Sequence, residues 1–543
     1  MARKSKAPRK DKATARAGAE DSGPEAIRRG MRVVAEATGT APPEAGSLPS
    51  VDVRGTISQT ASAVGMVLHG APLFKFAGEM VTVDESTGNI EPMAPERFVS
   101  WVEDHLAFVK WSDAGARPES IGKDTAGKLL AADRLRAHVR ELKAVNPVRL
   151  PVWHGKGEER AVVLAPPGHD SETGILTLDS VAYPEDMPFA DAFLFLKEHL
   201  KRFPFETEGI QLVEMRRSFT VLLAAMLGVY CRALFAEGTA KPMVVINGNQ
   251  PGTGKSLLVR MILSPVHGDI PEAGKPDGDT EFEKLLDSAA MSRKPFLVLD
   301  DVHSLKSQAL NRFITSPTHE CRRMYSQKLE SVPKVTQVFA TGNGLVVTED
   351  LDRRALIVDL FDPGKSTARK FTKEITNEWL VLPETRTRFL AAAWAFVRDW
   401  AEAGSPGGKG RKPSFERWAE VVGGIYSHHF PKLAGPFAQR DVSIGGDESG
   451  RALERVFELI AGEMEPGDPP VKTDEVLERA EDEGLLETIV GYGIKDAKKA
   501  LGWRVKRLKG RHFIDTRKRK FEFGKRDSMT GASYPVTFLD PEE

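Results

Sequence analysis

The sequence predicts an α/β protein, and three observations carry that expectation. Met243 to Asn247 is an apolar run that feeds the Gly-rich stretch GNQPGTGKS at 248–256, and a helical pattern opens at Leu257. Two more apolar runs follow, one ending in Asp300 and Asp301 and one ending in Thr341, Gly342 and Asn343, with helical patterns between them. Strands alternating with helices imply a layered α/β domain, and the loop after the first strand is of the phosphate-binding (P-loop) kind. From about residue 450 the pattern changes to helices followed by a short, basic, strand-like stretch, the order of a winged-helix-like module. A small α+β region is expected ahead of the layered domain.

Composition sets outer limits. The chain has 543 residues, 41% hydrophobic and 28% charged, which excludes a largely disordered chain. Lys and Arg number 76 against 77 Asp and Glu, so the formal net charge of −1 is silent about a nucleic-acid partner and only local clustering can speak. Two cysteines, Cys231 and Cys321, exclude a disulfide framework or a Cys-rich zinc site, and they fit a reducing, cytoplasmic location. No run of about 18 apolar residues occurs, so no membrane span is expected. The first residues are basic but lack the apolar stretch of a secretory signal.

Residues 1–50 read as a tail. Arg3, Lys4, Lys6, Arg9, Lys10, Lys12 and Arg16 face a single acid before residue 17. A solvated segment is the plain reading, and a basic arm touching nucleic acid is the alternative. Residues 51–146 form the expected α+β module. Ser58 to Leu68 has helical spacing, 73–76 and 80–83 flank Ala77, Gly78 and Glu79 as a hairpin, and Pro95 opens a helix through Leu106. This module has no Asp-x-Asp on an apolar strand and no Cys/His cluster, so a primase-type polymerase centre is not supported. Residues 147–235 read as a strand-rich and helical region leading into the layered domain, strand and turn rich over 147–210, with an amphipathic helix from Phe189 to Phe203 and a strongly apolar helix from about Arg217 to Phe235. The layered domain spans 236–403. The stretch GSPGGKGRKP at 404–413 reads as a flexible linker or long loop, and 414–543 as a helical piece followed by the basic winged-helix-like module.

The loop at 248–256 suits a nucleoside triphosphate. Glycines let successive N–H groups curl inward, and the helix N-terminus adds partial positive charge. The cradle is assigned to Gly248, Asn249, Pro251, Gly252, Thr253, Gly254, Lys255, Ser256 and Leu257. Lys255 supplies a point charge to the β- and γ-phosphates of ATP, and Ser256 a hydroxyl for Mg2+. Asn249 stands where the strict pattern has its first glycine, and Asn tolerates a left-handed backbone better than most residues.

The acids come next. A strand ending in Asp300 and Asp301 puts two carboxylates at the edge where open α/β sheets bind ligands. Asp300 is assigned to the metal and Asp301 to the attacking water. Asn343, at the tip of a neighbouring strand, can hydrogen-bond the γ-phosphate or that water. Arg353 and Arg354 can reach an ATP held by a neighbouring subunit, where a guanidinium suits the developing charge on the phosphoryl oxygens.

The order NGNQPGTGKS, FLVLDD, FATGN, DLDRR resembles the AAA+ ATPase core of superfamily 3-type helicases, and more narrowly the ATPase half of primase-helicase and replication proteins of phages and integrative mobile elements. Pro167 to Asp170 with Thr173 to Ile175, the helix at Arg216, Arg217 and Ser218, and Ser414 to Trp418 are similar to flanking segments of that family. The resemblance implies a ring, usually a homo-hexamer, with ATP at subunit interfaces and single-stranded or forked DNA in the channel. It makes Lys255 and Ser256 the Walker A pair, Asp300 and Asp301 the Walker B pair, Asn343 sensor 1, and Arg353 or Arg354 the arginine finger. Departures are Asn249, Asp301 where relatives often have Glu, and Gly344 where they often have a second Asn. The family also implies a channel-facing hairpin between residues 322 and 334, which makes Lys328 and Lys334 candidates to grip DNA phosphates. The plain reading of both is a solvated charged loop.

Between Lys495 and Arg526 fourteen basic residues are opposed only by Asp496, Asp515 and Glu522, an excess of eleven. Lys506, Arg507, Arg517, Lys518, Arg519 and Lys520 are the candidates for a duplex-DNA footprint. The aromatics Trp503, Phe513, Phe521 and Phe523 are expected mostly in the module's own core. Taken together, these features predict an ATP-dependent DNA helicase or translocase that replicates a phage or mobile element. An AAA+ ATPase that remodels protein and binds DNA without unwinding it is the alternative.

Overall fold

The computed structural model describes residues 48–113, 115–205, 212, 215–248, 251–271, 276, 278–302, 305, 307–322, 329–343, 345, 349–360, 375–408, 412–433, 435–437, 448–490, 496–508, 512–523 and 533–539. Residues 1–47 of the expected N-terminal tail, Asn249, Gln250, Lys328 and Gly344 lie outside the described residues, while Ser50, at the end of that tail, begins a short strand. The chain is mixed α/β and divides into two compact units, 1–149 with 165–180, and 150–164 with 181–543. Among the described residues no helix is long and apolar enough to cross a membrane.

In the first unit, helix Ile57–Val67 begins at a capping box in which Thr56 and Gln59 each satisfy the other's backbone N–H. The expected hairpin is Phe74–Phe76 with Glu79–Val83. Its two-residue turn puts both Ala77 (φ 49°) and Gly78 (φ 84°) in the left-handed region, which matches the right-handed twist of the flanking strands. Helix Pro95–Glu103 starts on its proline and buries Phe98 and Val102 beside Val64, Leu106, Leu129 and Leu135. Residues 165–180 belong to this unit rather than to a segment leading into the layered domain. The reason is a ladder: strand Ile175–Thr177 runs parallel to Ala144–Asn146 and antiparallel to Gly168–Asp170.

The second unit is built on a parallel sheet of four strands: β1 (Met243–Gly248), β2 (Phe296–Leu299), β3 (Gln337–Asn343) and β4 (Ala355–Leu360). Their order across the sheet is β2-β3-β1-β4, so β1 is flanked by the two strands farthest from it in sequence. Met243 to Ile246 and Leu356 to Val358 are almost wholly buried, as continuous apolar runs in a two-faced sheet should be. Four helices are needed below: α1 (Lys255–His267), α2 (Asp279–Met291), α3 (Gln308–Thr315) and α4 (Glu349–Arg354). Helix Arg217–Tyr230 packs on α1 and β4 and is buried nearly end to end, so its apolar character is that of a core helix.

The long helix Pro383–Glu402 packs against Phe189–Leu200 and α1. Its Arg386 donates to the carbonyls of Pro265 and Val266 at 3.2 and 3.3 Å, closing the C-terminal end of α1, where unpaired carbonyls favour a cation. The stretch expected as a linker or long loop is, where it is described, a loop tied to its neighbours at particular points. Trp400 Nε1 donates to Pro406 O at 2.9 Å, and Gly408 N–H to Glu420 O at 3.0 Å. Burial, reinforced by Arg217 and opposed by Asp352, pulls the Lys412 ammonium down to about 8. These contacts, with the glycine-sized gaps against helix Glu416–His429, replace the freedom that its composition suggested.

The C-terminal part has its own core of Leu453, Val456, Phe457, Val476, Ile489, Leu501, Phe521 and Tyr534. Helices Glu448–Glu463, Thr473–Asp482, Leu486–Val490 and Ala497–Leu508 precede a three-stranded antiparallel sheet of His512–Ile514, Lys520–Phe523 and Val536–Phe538. Ala497–Leu508 is a single helix that runs through Gly502. Phe513, Phe521 and Phe523 are buried in this core, with Phe457 stacked on Phe523 at 3.5 Å.

Candidate functional site

Strand register assembles the site. Gly248, the last residue of β1, lies opposite Asn343, the last of β3, and Leu299 at the end of β2 lies opposite Ala340. The loop, the acid pair and Asn343 therefore emerge at one edge of the sheet, the C-terminal edge where ligands of open α/β sheets bind.

The described part of the loop is shaped by close approach and by a left-handed residue. A Cβ at Gly248 would sit 2.6 Å from Thr253 Oγ1 and 3.0 Å from Lys255 Cδ, so a side chain there would displace the lysine. Gly254 has φ 93° at the N-cap of α1, and a Cβ there would also meet Phe203 at 3.0 Å. The α1 N-terminus, with Lys255 as its first residue, thus faces the strand edge. Pro251 and Gly252 are exposed, Thr253 is buried, Ser256 is exposed and Leu257 is half-buried.

Lys255 is only 7% exposed. Its Nζ donates to Asn343 Oδ1 at 2.6 Å and to Thr253 Oγ1 at 3.4 Å. Burial lowers its pKa from the ordinary lysine value, while Asp301 and Asp300 pull the other way. Ser256 Oγ donates to Asp300 Oδ1 at 2.9 Å, and Asn343 Nδ2 lies 3.4 Å from Asp301 Oδ1. The structure thus brings Lys255, Ser256, Asp300, Asp301 and Asn343 into one hydrogen-bonded cluster. A cation, a helix N-terminus and two carboxylates at one strand edge can receive a phosphate chain together with a hard metal ion. Among the described residues no group of three or more His, Cys, Asp or Glu could hold a metal unaided. The donors present, the Ser256 hydroxyl and the Asp300 carboxylate, fit Mg2+ as it is usually held, by one or two protein oxygens together with phosphates.

Neighbouring residues brace this edge. Asn247 Nδ2 donates to Asp359 Oδ1 at 3.2 Å, and its Oδ1 accepts the Leu345 N–H at 3.0 Å. Ser218 Oγ accepts the Asp359 N–H at 3.0 Å and Arg217 donates to Ile357 O at 2.8 Å, so the Arg216-Arg217-Ser218 segment serves as a strut on β4. Arg353 and Arg354 close α4 but differ in setting. Arg353 is exposed, whereas Arg354 is half-buried and donates to Asn311 O at 3.3 Å.

The DNA candidates fare differently. Strands Thr318–Arg322 and Leu329–Pro333 pair antiparallel, with Thr318 opposite Pro333 and Arg322 opposite Leu329. Lys334 does not reach outward from this pair, which corrects the expectation of a phosphate grip. It is 2% exposed, and its Nζ donates to Phe313 O and Ile314 O, both at 2.6 Å, at the C-terminal end of α3. Burial, with Lys241 adding to it, lowers its pKa to about 7.

In the C-terminal part, Arg519 is also spoken for. It donates to Asp515 Oδ2 at 2.8 Å and to the carbonyls of Ala461 and Met464 at 2.8 and 2.7 Å, and it lies over the Phe538 ring at 4.3 Å. Arg517 pairs with Glu465 at 2.5 Å and Lys498 with Asp474 at 2.6 Å, so two acids from outside the basic window neutralise part of it. Lys518 is exposed, with φ 64°, and Lys520 is half-buried. Lys506 and Arg507 lie on helix Ala497–Leu508, and their side chains are outside the described ones.

Sequence reasoning passed over Thr341. Buried at 1% exposure, it touches both acids of the pair, and the only signal for it was its place two residues before Asn343.

No protein-family model matches the chain, and no curated protein matches it. Among solved structures, the A-form apo structure of the NrS-1 C-terminal region overlaps 86% of this chain and 96% of that chain at 11% identity, with a TM-score of 0.34. A second apo structure of that region overlaps 88% and 99% at 11% identity with a TM-score of 0.35, and a third overlaps 69% and 79% at 13% identity with a TM-score of 0.30. At these TM-scores the likeness carries no argument about fold or function.

Proposed function

We propose that the chain is an Mg2+-dependent ATP hydrolase of the AAA+ superfamily 3 kind that drives movement along DNA during replication of a phage or mobile element. The observation that supports this reading above all is the cluster of Lys255, Ser256, Asp300, Asp301 and Asn343 at one edge of the parallel sheet. The sheet order, with the P-loop strand between β3 and β4, agrees with it.

On this reading Lys255 binds the β- and γ-phosphates and gives up its bond to Asn343 as they arrive. Ser256 and Asp300 would hold Mg2+, which would supply positive charge to offset that of the phosphates. Asp301 accepts a proton from the attacking water or orients it, and the freed Asn343 amide fixes the γ-phosphate or that water. Arg353, the exposed member of its pair, completes a neighbouring subunit's site in a ring, where its guanidinium meets the transition-state oxygens. The C-terminal part, read as a winged helix, presents Lys518 to duplex DNA.

One observation favours the second reading, an AAA+ ATPase that remodels protein and binds DNA without unwinding it. Lys334 is buried and Arg517 and Arg519 are paired with acids, which thins the basic surface available to DNA. Phosphate release and strand displacement on a forked duplex, measured together with Lys255→Ala as control, decide the matter. ATP hydrolysis with displacement is expected. Hydrolysis without displacement selects the remodelling reading, and equal phosphate release from both proteins removes the hydrolase assignment.

A further inference from the structure

We propose that Thr341 is the positioning residue that sets the Asp300-Asp301 pair and so controls how the site takes up its divalent metal. This inference rests on the nucleotide-hydrolysing reading above. Three successive residues hang on Thr341. Its hydroxyl donates to Asp300 Oδ1 at 2.5 Å and accepts the Asp301 N–H at 2.9 Å, while its carbonyl accepts the Val302 N–H at 2.9 Å. The register explains the meeting: Leu299 pairs with Ala340, so the next residue on each strand, Asp300 and Thr341, come side by side as β2 ends.

Two features make this more than packing. Asp301 has φ 50°, in the left-handed region that residues with a side chain seldom occupy unless their surroundings fix it. The Thr341 hydroxyl and carbonyl hold the N–H groups of Asp301 and of the residue after it, so they hold that turn. In addition, Asp300 Oδ1 receives two hydroxyls, from Ser256 at 2.9 Å and from Thr341 at 2.5 Å. Thr341 is buried at 1% exposure while Ser256 is exposed, so Thr341 is the fixed partner and Ser256 the one able to turn toward a metal. Without the hydroxyl, the carboxylate assigned to the metal loses its buried partner and the Asp301 N–H loses its bond to Thr341. A threonine is needed as a donor and an acceptor in one small group. Serine supplies the same atoms, and valine the same shape without them.

The test uses the full chain with Thr341→Val and Thr341→Ser. Affinity for a fluorescent ATP analogue is measured in Mg2+ and in EDTA, phosphate release is titrated with Mg2+, and melting curves are recorded. Thr341→Val is expected to raise the Mg2+ concentration for half-maximal binding and turnover by about 10–100-fold, the range typical of residues that support a metal ligand. Its affinity in EDTA is expected to stay at the starting value, and Thr341→Ser to behave like the unaltered protein. If Thr341→Val does not fold, Thr341→Ala provides the same comparison.

An unchanged Mg2+ dependence in the hydroxyl-free variant overturns the proposal, as does an equal loss in Thr341→Ser. If Lys255→Ala and unaltered protein release phosphate alike, the hydrolysis reading falls by itself. The Mg2+-dependent gain in nucleotide affinity then still judges Thr341: loss of that gain in Thr341→Val alone upholds it, and its retention, or its absence from the unaltered protein, overturns it.

Discussion

Arg353→Ala and Arg354→Ala, made separately, are expected to fail in different ways. The exposed Arg353 ends α4, and a guanidinium that completes a neighbour's site is worth on the order of 10³–10⁵ in turnover, or about 4–7 kcal/mol of barrier. Arg354 instead donates to Asn311 O at 3.3 Å, just beyond the usual range, and its loss should cost about 1.5 kcal/mol of stability, the low end for a hydrogen bond to a charged group. Arg353→Ala should therefore bind labelled ATP normally, melt normally and release almost no phosphate. Arg354→Ala should melt a few degrees lower and keep most of its turnover. A mixing experiment checks the shared site. Lys255→Ala and Arg353→Ala are each silent, but in a mixed ring the lysine of one can meet the arginine of the other, at about one site in four if subunits mix randomly around a head-to-tail ring. Recovery of phosphate release on mixing is the expected result. Wild-type turnover in Arg353→Ala, or no recovery in the mixture, would refute the reasoning.

Three further outcomes are expected. Gly254→Ala forces a side chain into φ 93° and against Phe203, costing about 1–2 kcal/mol from the backbone alone and abolishing ATP binding, as read by urea unfolding and nucleotide titration. Lys334→Met leaves the Phe313 and Ile314 carbonyls without their donor, a loss of about 1–3 kcal/mol. It also alters the pH response: burial holds the folded Lys334 pKa near 7 against an ordinary 10.5, so between those values the unfolded chain binds the extra proton and stability rises with pH. Unfolding at pH 7 and pH 9.5 should show a smaller rise in the variant, and an equal rise would contradict the assignment. In the C-terminal part, Arg519→Ala should lower the melting temperature by breaking its bonds to Asp515, Ala461 and Met464. Lys518→Ala should leave melting unchanged while reducing the salt slope of DNA binding by about one, and an unchanged slope would remove Lys518 from the footprint.

Local pattern and long-range register divide what could be read beforehand. The loop from Gly248 to Ser256 is a contiguous signal, and an apolar strand ending in acids is another, so Lys255, Ser256, Asp300 and Asn343 could be named from the chain alone. That Asn343 bonds Lys255 directly, and that Thr341 holds Asp300, depends on β3 lying between β1 and β2, which no local pattern states. Lys334 was misjudged for a related reason: it follows a charged stretch, but its ammonium finds the carbonyls at the end of α3, some twenty residues back. Charge counting over 495–526 likewise missed Glu465, in the loop after Glu448–Glu463, and Asp474, on helix Thr473–Asp482. Gly408 lies against helix Glu416–His429 because it has no side chain, and composition alone cannot tell that use of glycine from flexibility.

Arg386 gives the helix behind the loop a mechanical property. α1 has thirteen residues, so at about 1.5 Å per residue it is a rod of about 20 Å. Its near end is the glycine-rich loop and its far end is clamped by a guanidinium on Pro383–Glu402. A rod seated at both ends conveys axial load instead of absorbing it. Whatever presses on Gly254 is therefore passed along α1, through the last turn that holds Pro265, to Pro383–Glu402, the longest helix among the described residues.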